Sequence, residues 1–430
     1  MIKLKSVNRF IPQLWTILFL FTIGQLSAQK QFIVQSIQFD TLKKTKATYL
    51  NRFIDTKLQQ PTSRDQLEKD AQQLKNLNNI ANATYRVDTI AGQLKITFEI
   101  EEALTLFPII NFGGIRGNFW FQLGFNEINW LGKGMQLSAF YQNNDRRDNF
   151  NLYYQIPYIK GSRYGASISA LKWASVEPLF FGEQAVFYDY DNYSLSLLGR
   201  YEISRNQILE LGGTYFIEQY RKNERHIDEI TPGPDNVQLP KMLGKVVHRI
   251  DRINYDYYHL SGFDNVLNIQ SVYNIEDGSV FNILMNDTRY FKRFNETGNL
   301  ALRFRLGIST NNDSPFAPFV LDSHVNIRGA GNRIDRGTGV LVLNLEYRQD
   351  VFDIGNWAGQ IVGFSDLGTW RNPGGTYADL IDSDNFRHFV GGGIRLIYKR
   401  AFNAMLRLDY GIDIYDENQQ GLVLGFGQYF

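Results

Sequence analysis

The chain has 430 residues, and its 45 basic and 44 acidic side chains leave a net charge of +1, which removes the electrostatic basis for binding nucleic acid. It contains no cysteine, which excludes disulfides and thiolate metal sites. The 32 Phe, 24 Tyr and 37 Gly favour many strands joined by turns over a helical fold.

The first 28 residues have the organisation of a secretory signal peptide. Basic residues precede an apolar stretch over residues 14–23, and Ala28 supplies a small residue before the expected cleavage point. The apolar stretch is shorter than the ~20 residues that a membrane-spanning helix needs. We therefore expect residues 1–28 to be removed and the mature chain to be exported.

Residues 29–103 are predicted to form a small α+β domain. "FIVQSIQF" is a strand candidate, and "TYLNRFIDTKL" places its apolar residues on one helical face. A second helix is expected to begin at Ser63, with Gln66 reaching back to the cap, and to end at Asn78. "ATYRVD" and "LKITFEIEE" follow as strands. The order β-α-α-β-β predicts two layers, with two helices covering one face of a small sheet.

From residue 104 to residue 430, strand after strand alternates apolar and polar residues over nine to eleven positions. "VLVLNLEYR" is an example, with four apolar side chains on one face and Asn344, Glu346 and Arg348 on the other. A tilted strand of a transmembrane barrel needs this length. A soluble β-sandwich also alternates, so the periodicity leaves both architectures open.

The connections favour the barrel. Short turns such as "NWLGKG", "YIKGSR" and "LSGFDN" alternate with longer polar loops over residues 221–244 and 310–338. We count sixteen strand candidates, and the last one, "GLVLGFGQYF", is expected to close the sheet so that no edge is exposed. The predicted fold is thus mainly β: a 16-stranded antiparallel transmembrane β-barrel over residues 104–430, preceded by the small α+β domain.

Three motifs carry a resemblance to a known family. Ile327-Arg328-Gly329 in the predicted sixth outer loop resembles a Val-Arg-Gly-aromatic motif, and "GFSDLG" in the thirteenth strand resembles a Phe-x-Asp-x-Gly motif. "LRLDYGID" followed by "GFGQYF" resembles the closing strands. With the small domain, the chain resembles the outer-membrane assembly and two-partner secretion superfamily of BamA/TamA type, the bacterial surface antigen family. The β-α-α-β-β unit then resembles a single POTRA domain.

The resemblance implies a latch between the sixth loop and the barrel wall. In the family this loop folds into the barrel lumen, and its arginine pairs with the aspartate of the thirteenth strand. Carried over residue by residue, the predicted latch consists of the loop motif and the strand motif: Ile327, Arg328, Gly329, Phe364, Asp366 and Gly368. We expect Arg328→Ala to disturb the loop while the barrel still inserts, and exchange of the two charges to recover some activity.

The resemblance also implies a seam between the first and last strands that opens sideways. In the first strand, "LFPIINFGG", Pro108 lacks a donor amide, and Gly113 and Gly114 weaken pairing. Phe426 and Phe430 lie at the end of the last strand. These five residues form the predicted seam, although proline and glycine also mark ordinary strand ends, so both interpretations stay open.

The sequence departs from the family pattern in three ways. Ala330 stands where an aromatic residue usually follows the Arg-Gly pair, which removes one packing anchor. Gln428 interrupts the apolar face of the last predicted strand, between Phe426 and Phe430. There is one POTRA-like domain, whereas the essential assembly factors carry several. A single domain leaves little surface for gathering partner lipoproteins.

The functional hypothesis is a bacterial outer-membrane barrel, with its N-terminal domain in the periplasm, that assists insertion of outer-membrane proteins or translocation of client polypeptides. The alternatives are a dedicated two-partner-type secretion transporter and a passive pore or structural barrel. Expected partners are outer-membrane lipids, unfolded client polypeptides and accessory periplasmic or lipoprotein subunits, without nucleic acid. No nucleophile elbow, zinc motif or phosphate-binding loop is present, so we expect neither an enzyme nor a cofactor.

Overall fold

The computed structural model describes residues 32–90, 93–115, 118–144, 147–182, 184–223, 232–312, 314–321, 326–331, 336–401 and 404–430. The predicted signal peptide, residues 1–28, lies outside these ranges.

The N-terminal unit is a small two-layer domain. Its elements are β1 (Phe32–Asp40), α1 (Ala47–Leu50), β2 (Pro61–Thr62), α2 (Arg64–Lys75), β3 (Ile80–Ile90) and β4 (Gln93–Glu102). The sheet order is β2-β1-β4-β3, with β1 and β4 parallel. Leu67 and Leu74 of α2 are buried in one cluster with Ile96 and Phe98 of β4. This apolar contact holds the helical layer on the sheet.

The first helix is shorter than the prediction from its apolar pattern. It ends at Leu50, and the backbone amides of Asp55 and Thr56 donate to the buried carboxylate of Asp70, at 2.8 and 2.9 Å. A side chain from α2 thus supplies partners that a continued helix would have found in its own backbone. The tertiary contact overrides the local helical pattern.

The second helix begins where the sequence places it. Ser63 is the N-cap, and its hydroxyl accepts a hydrogen bond from the Gln66 amide at 3.2 Å. The Gln66 side chain donates to Asp70 instead of reaching back to the cap. The helix ends at Lys75, earlier than the predicted end at Asn78.

The second unit is a large antiparallel sheet that begins directly after the small domain. Its strands, and a short hairpin within one loop, are β5 (Leu106–Ile115), β6 (Asn118–Trp130), β7 (Met135–Asn144), β8 (Arg147–Ile156), β9 (Tyr164–Phe181), β10 (Gln184–Ser204), β11 (Gln207–Lys222), β12 (Asn236–Asp256), β13 (His259–Asn274), β14 (Val280–Phe294), β15 (Gly298–Ser309), β16 (Phe319–Val320), β17 (Arg336–Gly337), β18 (Gly339–Ile354), β19 (Trp357–Arg371), β20 (Phe386–Tyr398), β21 (Met405–Asp413) and β22 (Gln420–Phe426).

Sixteen of these strands form one sheet in chain order, which confirms the predicted strand number. Each strand pairs antiparallel with the next, and β15 pairs directly with β18 because β16 and β17 form a separate hairpin. The connection from β15 to β18 is the sixth outer one, and β19 is the thirteenth strand of the sheet, as the sequence predicts. We call the described residues within 310–338 the lumen loop.

One predicted turn is part of a strand. "LSGFDN" was expected to be a short turn, yet residues 260–265 lie within β13, and the chain reverses earlier, at Tyr257. Gly262 has φ of +107° and pairs with Ile253, so the glycine accommodates a distortion inside the ladder instead of ending it.

The helices of this fold are short. In the ranges that the structure describes, no helix is long and apolar enough to cross a membrane.

Candidate functional site

The lumen loop is joined to the barrel wall by Arg328, whose side chain is fully buried. Its Nε donates to Asp366 Oδ2 at 2.8 Å, and its Nη2 donates to Asp366 Oδ1 at 2.9 Å. The Arg328 backbone amide also donates to Asp366 Oδ2, at 3.0 Å. Two parallel hydrogen bonds fix the orientation of the guanidinium as well as its distance. The structure therefore brings together the two residues that the family resemblance pairs.

Arg328 has a second carboxylate partner that the sequence reasoning did not pair with it. Its Nη1 donates to Glu346 on β18, which also accepts from Arg348 Nε at 2.5 Å and from Arg395 Nη2 at 3.4 Å. Asn344 donates to Asp366 Oδ1 at 2.8 Å and to the Asn326 carbonyl at 2.8 Å. The pair is thus part of a buried network.

The sequence contained a partial signal for this network. Asn344, Glu346 and Arg348 were predicted to share the polar face of one strand, and the alternation of β18 does place them together on the lumen side. The fold of the loop decides which charged side chains meet in the lumen. The periodicity of a single strand shows which face a residue lies on, but not which distant residue it contacts.

An apolar contact supports the charged one. Ile327 is fully buried and packs with Leu321, Val342 and Phe389 in one cluster. Gly368, the glycine of the strand motif, faces this side chain, since a Cβ built there would lie 2.4 Å from Ile327 Cδ1. The glycine therefore makes the room that Ile327 occupies against the wall.

The loop backbone touches the wall at Gly329. This residue has φ of +93°, a conformation that L side chains rarely adopt, and a Cβ there would lie 2.6 Å from the Gly411 carbonyl oxygen of β21. Ala330, the departure from the family motif, is buried in the same cluster as Ile327. Glycine is thus required here both for the turn and for the close approach.

Aromatic rings cover the Arg328 guanidinium. The Phe364 ring centroid lies 3.7 Å from Arg328 Cζ, and the Tyr429 centroid lies 4.6 Å from the same atom. Phe364 belongs to the predicted strand motif, whereas Tyr429 was missed. Stacked rings exclude water and add a cation–π attraction. Phe364 and Tyr429 thus make the site drier than the barrel lumen as a whole.

The residues after β22 correct two predictions. The strand ends at Phe426, and Gly427, with φ of +84°, turns the chain inward, so that Gln428 lies outside the strand that it was expected to interrupt. Phe430 is not at the seam. It is buried in the lumen with Tyr429 and residues of β12, β14 and β15, and its main-chain oxygen accepts from Arg348 at 3.1 Å. We call residues 427–430 the inward segment.

The sheet has two free ends, which corrects the prediction that the last strand closes it. The backbones of β5 and β22 are both described, and the described residues form no backbone ladder between these two strands. Of the predicted seam residues, Pro108 lies in β5, and Gly113 and Gly114 lie near the end of β5, where they pair with β6. Phe426 is exposed at the end of β22. The side-chain surroundings of residues 111–120 lie outside the description. β22 has 7 strand residues because the inward segment leaves the sheet.

The seam is tied at the end where the small domain joins the barrel. The Leu104 amide donates to the Arg400 carbonyl at 2.9 Å, and Leu104 forms an isolated parallel bridge with Ala401, between β20 and β21. Thr105 accepts from the Ile128 amide of β6 at 3.0 Å. The connecting segment therefore links the β5 end of the sheet to the turn between β20 and β21.

Comparison with known proteins identifies the family. A family model described as the Omp85 superfamily domain matches residues 129–430, more than half of the 430-residue chain. The chain belongs to the Omp85 superfamily. This confirms the resemblance drawn from the motifs, and the protein is a transmembrane β-barrel of the outer-membrane type.

Solved structures share the Omp85 fold over nearly the whole chain. BamA from Haemophilus ducreyi lacking POTRA domains 1–3 is 16% identical with a TM-score of 0.53, covering 92% of this chain and 84% of that one. CdiB from Acinetobacter baumannii is 13% identical with a TM-score of 0.54, covering 93% and 74%. CdiB from Escherichia coli is 10% identical with a TM-score of 0.50, covering 93% and 90%. At these identities the likeness concerns the fold alone.

The small domain of this Omp85 chain is docked across one mouth of the barrel. Arg52 donates to Glu202 at 2.8 Å and stacks on Tyr158 at 3.9 Å, while Lys44 pairs with Glu127 at 2.6 Å. Burial alone would lower the pKa of Arg52, but the hydrogen bond and charge of Glu202 raise it above its usual value, so the guanidinium stays charged.

Three further segments of the barrel complete this contact. Arg205, between β10 and β11, donates to Asp55 and Gln73 of the domain. The Tyr255 amide, near the end of β12, donates to Asn76 at 3.1 Å. Glu101 pairs with Arg400 at 3.5 Å, in the turn between β20 and β21. Contacts thus surround much of the mouth.

The described residues include a serine and a histidine within hydrogen-bond distance of each other. Ser365 Oγ lies 2.8 Å from His388 Nε2 on the outer face of the wall. The His388 side chain makes no other hydrogen bond in the described ranges, whereas a base that activates a nucleophile is normally oriented by a third group. Nor do three His, Asp or Glu side chains converge there to hold a metal ion.

Proposed function

We propose that the protein assists the insertion of outer-membrane barrel proteins, with the seam between β5 and β22 as the place where a client strand binds. The observation that carries this proposal is the pair of unpaired sheet ends in a sheet of sixteen strands. Unpaired amides and carbonyls are costly in lipid, and a client strand would satisfy them by main-chain hydrogen bonding. The seam then serves as a template edge.

Export of a client through the lumen is the alternative, as for a dedicated two-partner-type transporter. Two features favour the seam over this path. The lumen loop and the inward segment occupy the lumen with buried contacts, and the small domain covers one mouth. A client in the lumen would have to displace all three, whereas a client at the seam displaces none of the Arg328 contacts.

The proposed arrangement places the small domain in the periplasm, where unfolded clients arrive after export. Its sheet edge β3 offers main-chain groups for a first contact with an extended client. Outer-membrane lipids surround the barrel, and accessory periplasmic or lipoprotein subunits are candidate partners of the same domain.

A tether across the seam tests this proposal. The chain has no native cysteine, so Ile110→Cys on β5 with Leu422→Cys on β22 places one exposed cysteine on each sheet end, and bifunctional maleimides of increasing length are used to join them. We expect the tether to lower the insertion rate of a client barrel at least on the order of ten-fold. The rate is measured in vesicles that contain the purified protein, before and after the tether is formed.

The control is Leu195→Cys with Tyr215→Cys, two residues that already face each other across the ladder of β10 and β11. Tethering them is expected to leave insertion unchanged. An equal loss in both variants, or no loss in the seam variant, overturns the proposal.

Depletion in cells separates the alternatives. Loss of several barrel proteins from the outer membrane indicates an insertion factor, and loss of one protein from the medium indicates a dedicated exporter. No change in either fraction indicates a passive barrel.

A further inference from the structure

A cluster of polar side chains lies on the lipid-facing wall of β13 and β14. Along these strands Asp264 and Asp287 pair with arginines, whereas Leu284 and Tyr290 are exposed on the other face. Alternation assigns Asn286 and Thr288, which lie between Leu284 and Tyr290, to this outer face. Asn265 faces Thr288 directly across the ladder and therefore shares the face.

The three side chains are bonded to one another. Asn265 Nδ2 donates to Thr288 Oγ1 at 2.7 Å and to Asn286 Oδ1 at 3.1 Å, and Thr288 Oγ1 donates to Asn286 Oδ1 at 3.0 Å. In the described part of the chain, no partner binds Asn265 Oδ1 or Asn286 Nδ2. One acceptor and one donor thus remain available on neighbouring strands.

Apolar residues surround the cluster on the same face. Phe304 lies opposite Thr288 on β15, and Leu267 and Leu306 lie on either side of Asn286. The cluster is therefore within the apolar belt. Two primary amides with unused hydrogen-bonding groups are unfavourable against lipid tails, because no water is present to satisfy them. Polar groups inside a membrane usually face a protein partner or a cavity.

We propose that this surface, Asn265, Leu267, Asn286 and Thr288, binds a second copy of the same chain through a two-fold axis. In a two-fold contact the same surface is used by both copies. The Asn286 side-chain amide of the first copy donates to Asn265 Oδ1 of the second copy, and the Asn286 amide of the second copy donates to Asn265 Oδ1 of the first. Both unused groups are then satisfied, and two hydrogen bonds form between the copies. The self-complementary pair of one donor and one acceptor argues for a second copy over an unrelated partner.

The position of the surface agrees with this arrangement. β13 and β14 are the ninth and tenth of the sixteen sheet strands, far from the free ends β5 and β22 along the sheet. A dimer joined at this surface would leave both seams facing lipid. Apolar packing gains little in lipid, because the tails are as apolar as leucine, so the polar cluster decides the specificity of the contact.

Crosslinking in the native membrane tests the dimer. Leu267 lies near the proposed axis, so Leu267→Cys in this cysteine-free chain is expected to give a disulfide-linked homodimer on mild oxidation. Leu152→Cys is the matched control, since Leu152 is an exposed leucine on the outer face of β8, distant along the sheet. It should give no dimer above the level of random collision.

The amides are then removed in the Leu267→Cys background. Asn265→Leu with Asn286→Leu is expected to lower the crosslinked dimer on the order of ten-fold. Asn282→Leu, an exposed residue at the far end of β14, should leave it unchanged. Leucine is favoured against lipid, so the double variant should fold at least as well as the parent, which the heat-dependent gel mobility of the barrel verifies.

Three outcomes for the homodimer yield would overturn the proposal: no homodimer from Leu267→Cys, an equal yield from Leu152→Cys, or a yield that is not lowered by the double amide variant. Capture of a protein of different mass at Leu267→Cys would also overturn it, because the surface would then bind another partner. None of these results bears on the activity of the seam.

Discussion

Arg328 binds two carboxylates, Asp366 and Glu346, in a site from which water is excluded. A buried charge is tolerated only where its partners are in place, so removing one member of the pair leaves the others uncompensated. The same residue also contacts two aromatic rings and positions the backbone of Gly329. It therefore joins three parts of the molecule: the lumen loop, the barrel wall and the inward segment.

Replacing Arg328 by alanine is expected to weaken loop docking by about 3 to 5 kcal/mol, because buried Asp366 loses its arginine partner, whereas Glu346 keeps Arg348 and Arg395. The barrel itself should still insert, since the sixteen-stranded ladder does not depend on this residue. Protease sensitivity of the lumen loop from the outer side measures the effect. Arg249→Ala is the control, since Arg249 faces the lumen but is half exposed. Equal sensitivity in both variants would contradict the assigned role.

The structure revises the expected outcome of a charge exchange. Combining Arg328→Asp with Asp366→Arg places the new carboxylate at position 328 beside Glu346, where two negative charges repel each other. We now expect the exchange to recover little of the docking lost in Arg328→Ala, as judged by the same protease assay. Substantial recovery would mean that Glu346 is a minor partner.

Gly368 offers a second test at the residue scale. Gly368→Ala places a methyl group 2.4 Å from Ile327 Cδ1 and is expected to cost about 1 to 3 kcal/mol of loop docking through overpacking. Ile327→Val removes that Cδ1 atom and should restore part of the loss in the double variant. Thermal unfolding of the four chains of this double-mutant cycle gives the coupling energy, and purely additive effects would refute the contact.

At the scale of elements, the small domain is held by scattered polar contacts. Arg52 lies on the domain and binds Glu202 of the barrel, whereas Arg205 lies on a barrel turn and binds Asp55 of the domain. Partly exposed ion pairs of this kind contribute about 0.2 to 1 kcal/mol each and weaken in salt. The docking is therefore strong only as the sum of these contacts.

The double variant Arg52→Ala with Arg205→Ala is expected to undock the domain measurably, whereas each single variant changes docking less than about five-fold. Hydrogen exchange of the barrel turn at residues 159–163 reports the docking. Arg86→Ala is the matched control, because Arg86 pairs with Asp88 and Glu99 inside the same domain. Unchanged exchange in the double variant would show that other contacts hold the domain.

At the scale of the whole molecule, the barrel interior is occupied. The lumen loop packs a buried apolar cluster and a buried charged network against β18 to β21, and the inward segment fills the space towards β12 and β14. A sheet of sixteen strands without such filling encloses a water-filled channel in porins. The described filling distinguishes this lumen from the open channel of a porin.

Replacing residues 314–331 with a short Gly-Ser linker is expected to convert a low-conductance barrel into one with a large, steady conductance. Planar-bilayer recordings of the purified protein measure this. A linker of equal composition placed in the loop between β19 and β20 serves as the control. A large conductance in the unaltered protein would instead favour the passive pore.

Several features followed from local sequence alone. The alternation of strands such as "VLVLNLEYR" fixes which residues face the lumen, because side chains alternate with a period of two whatever the fold. Ser63 marks the start of α2 because a hydroxyl can cap a free amide locally. The motifs around Arg328 and Asp366 located the two ends of the latch through the family resemblance.

The remaining features depend on residues that meet only after the chain has folded. The first helix stops at Leu50 because Asp70 takes the next amides, and Phe430 leaves the seam because Gly427 turns it towards Arg348. Glu346 joins the contact between the lumen loop and β19 from the neighbouring strand β18. Strand periodicity together with the turn and loop lengths predicted the barrel and its strand number, and the motifs predicted the latch pair through the family resemblance. Only the tertiary structure decided the buried network, the open seam and the docked domain, because each is a contact between distant segments that no local pattern encodes.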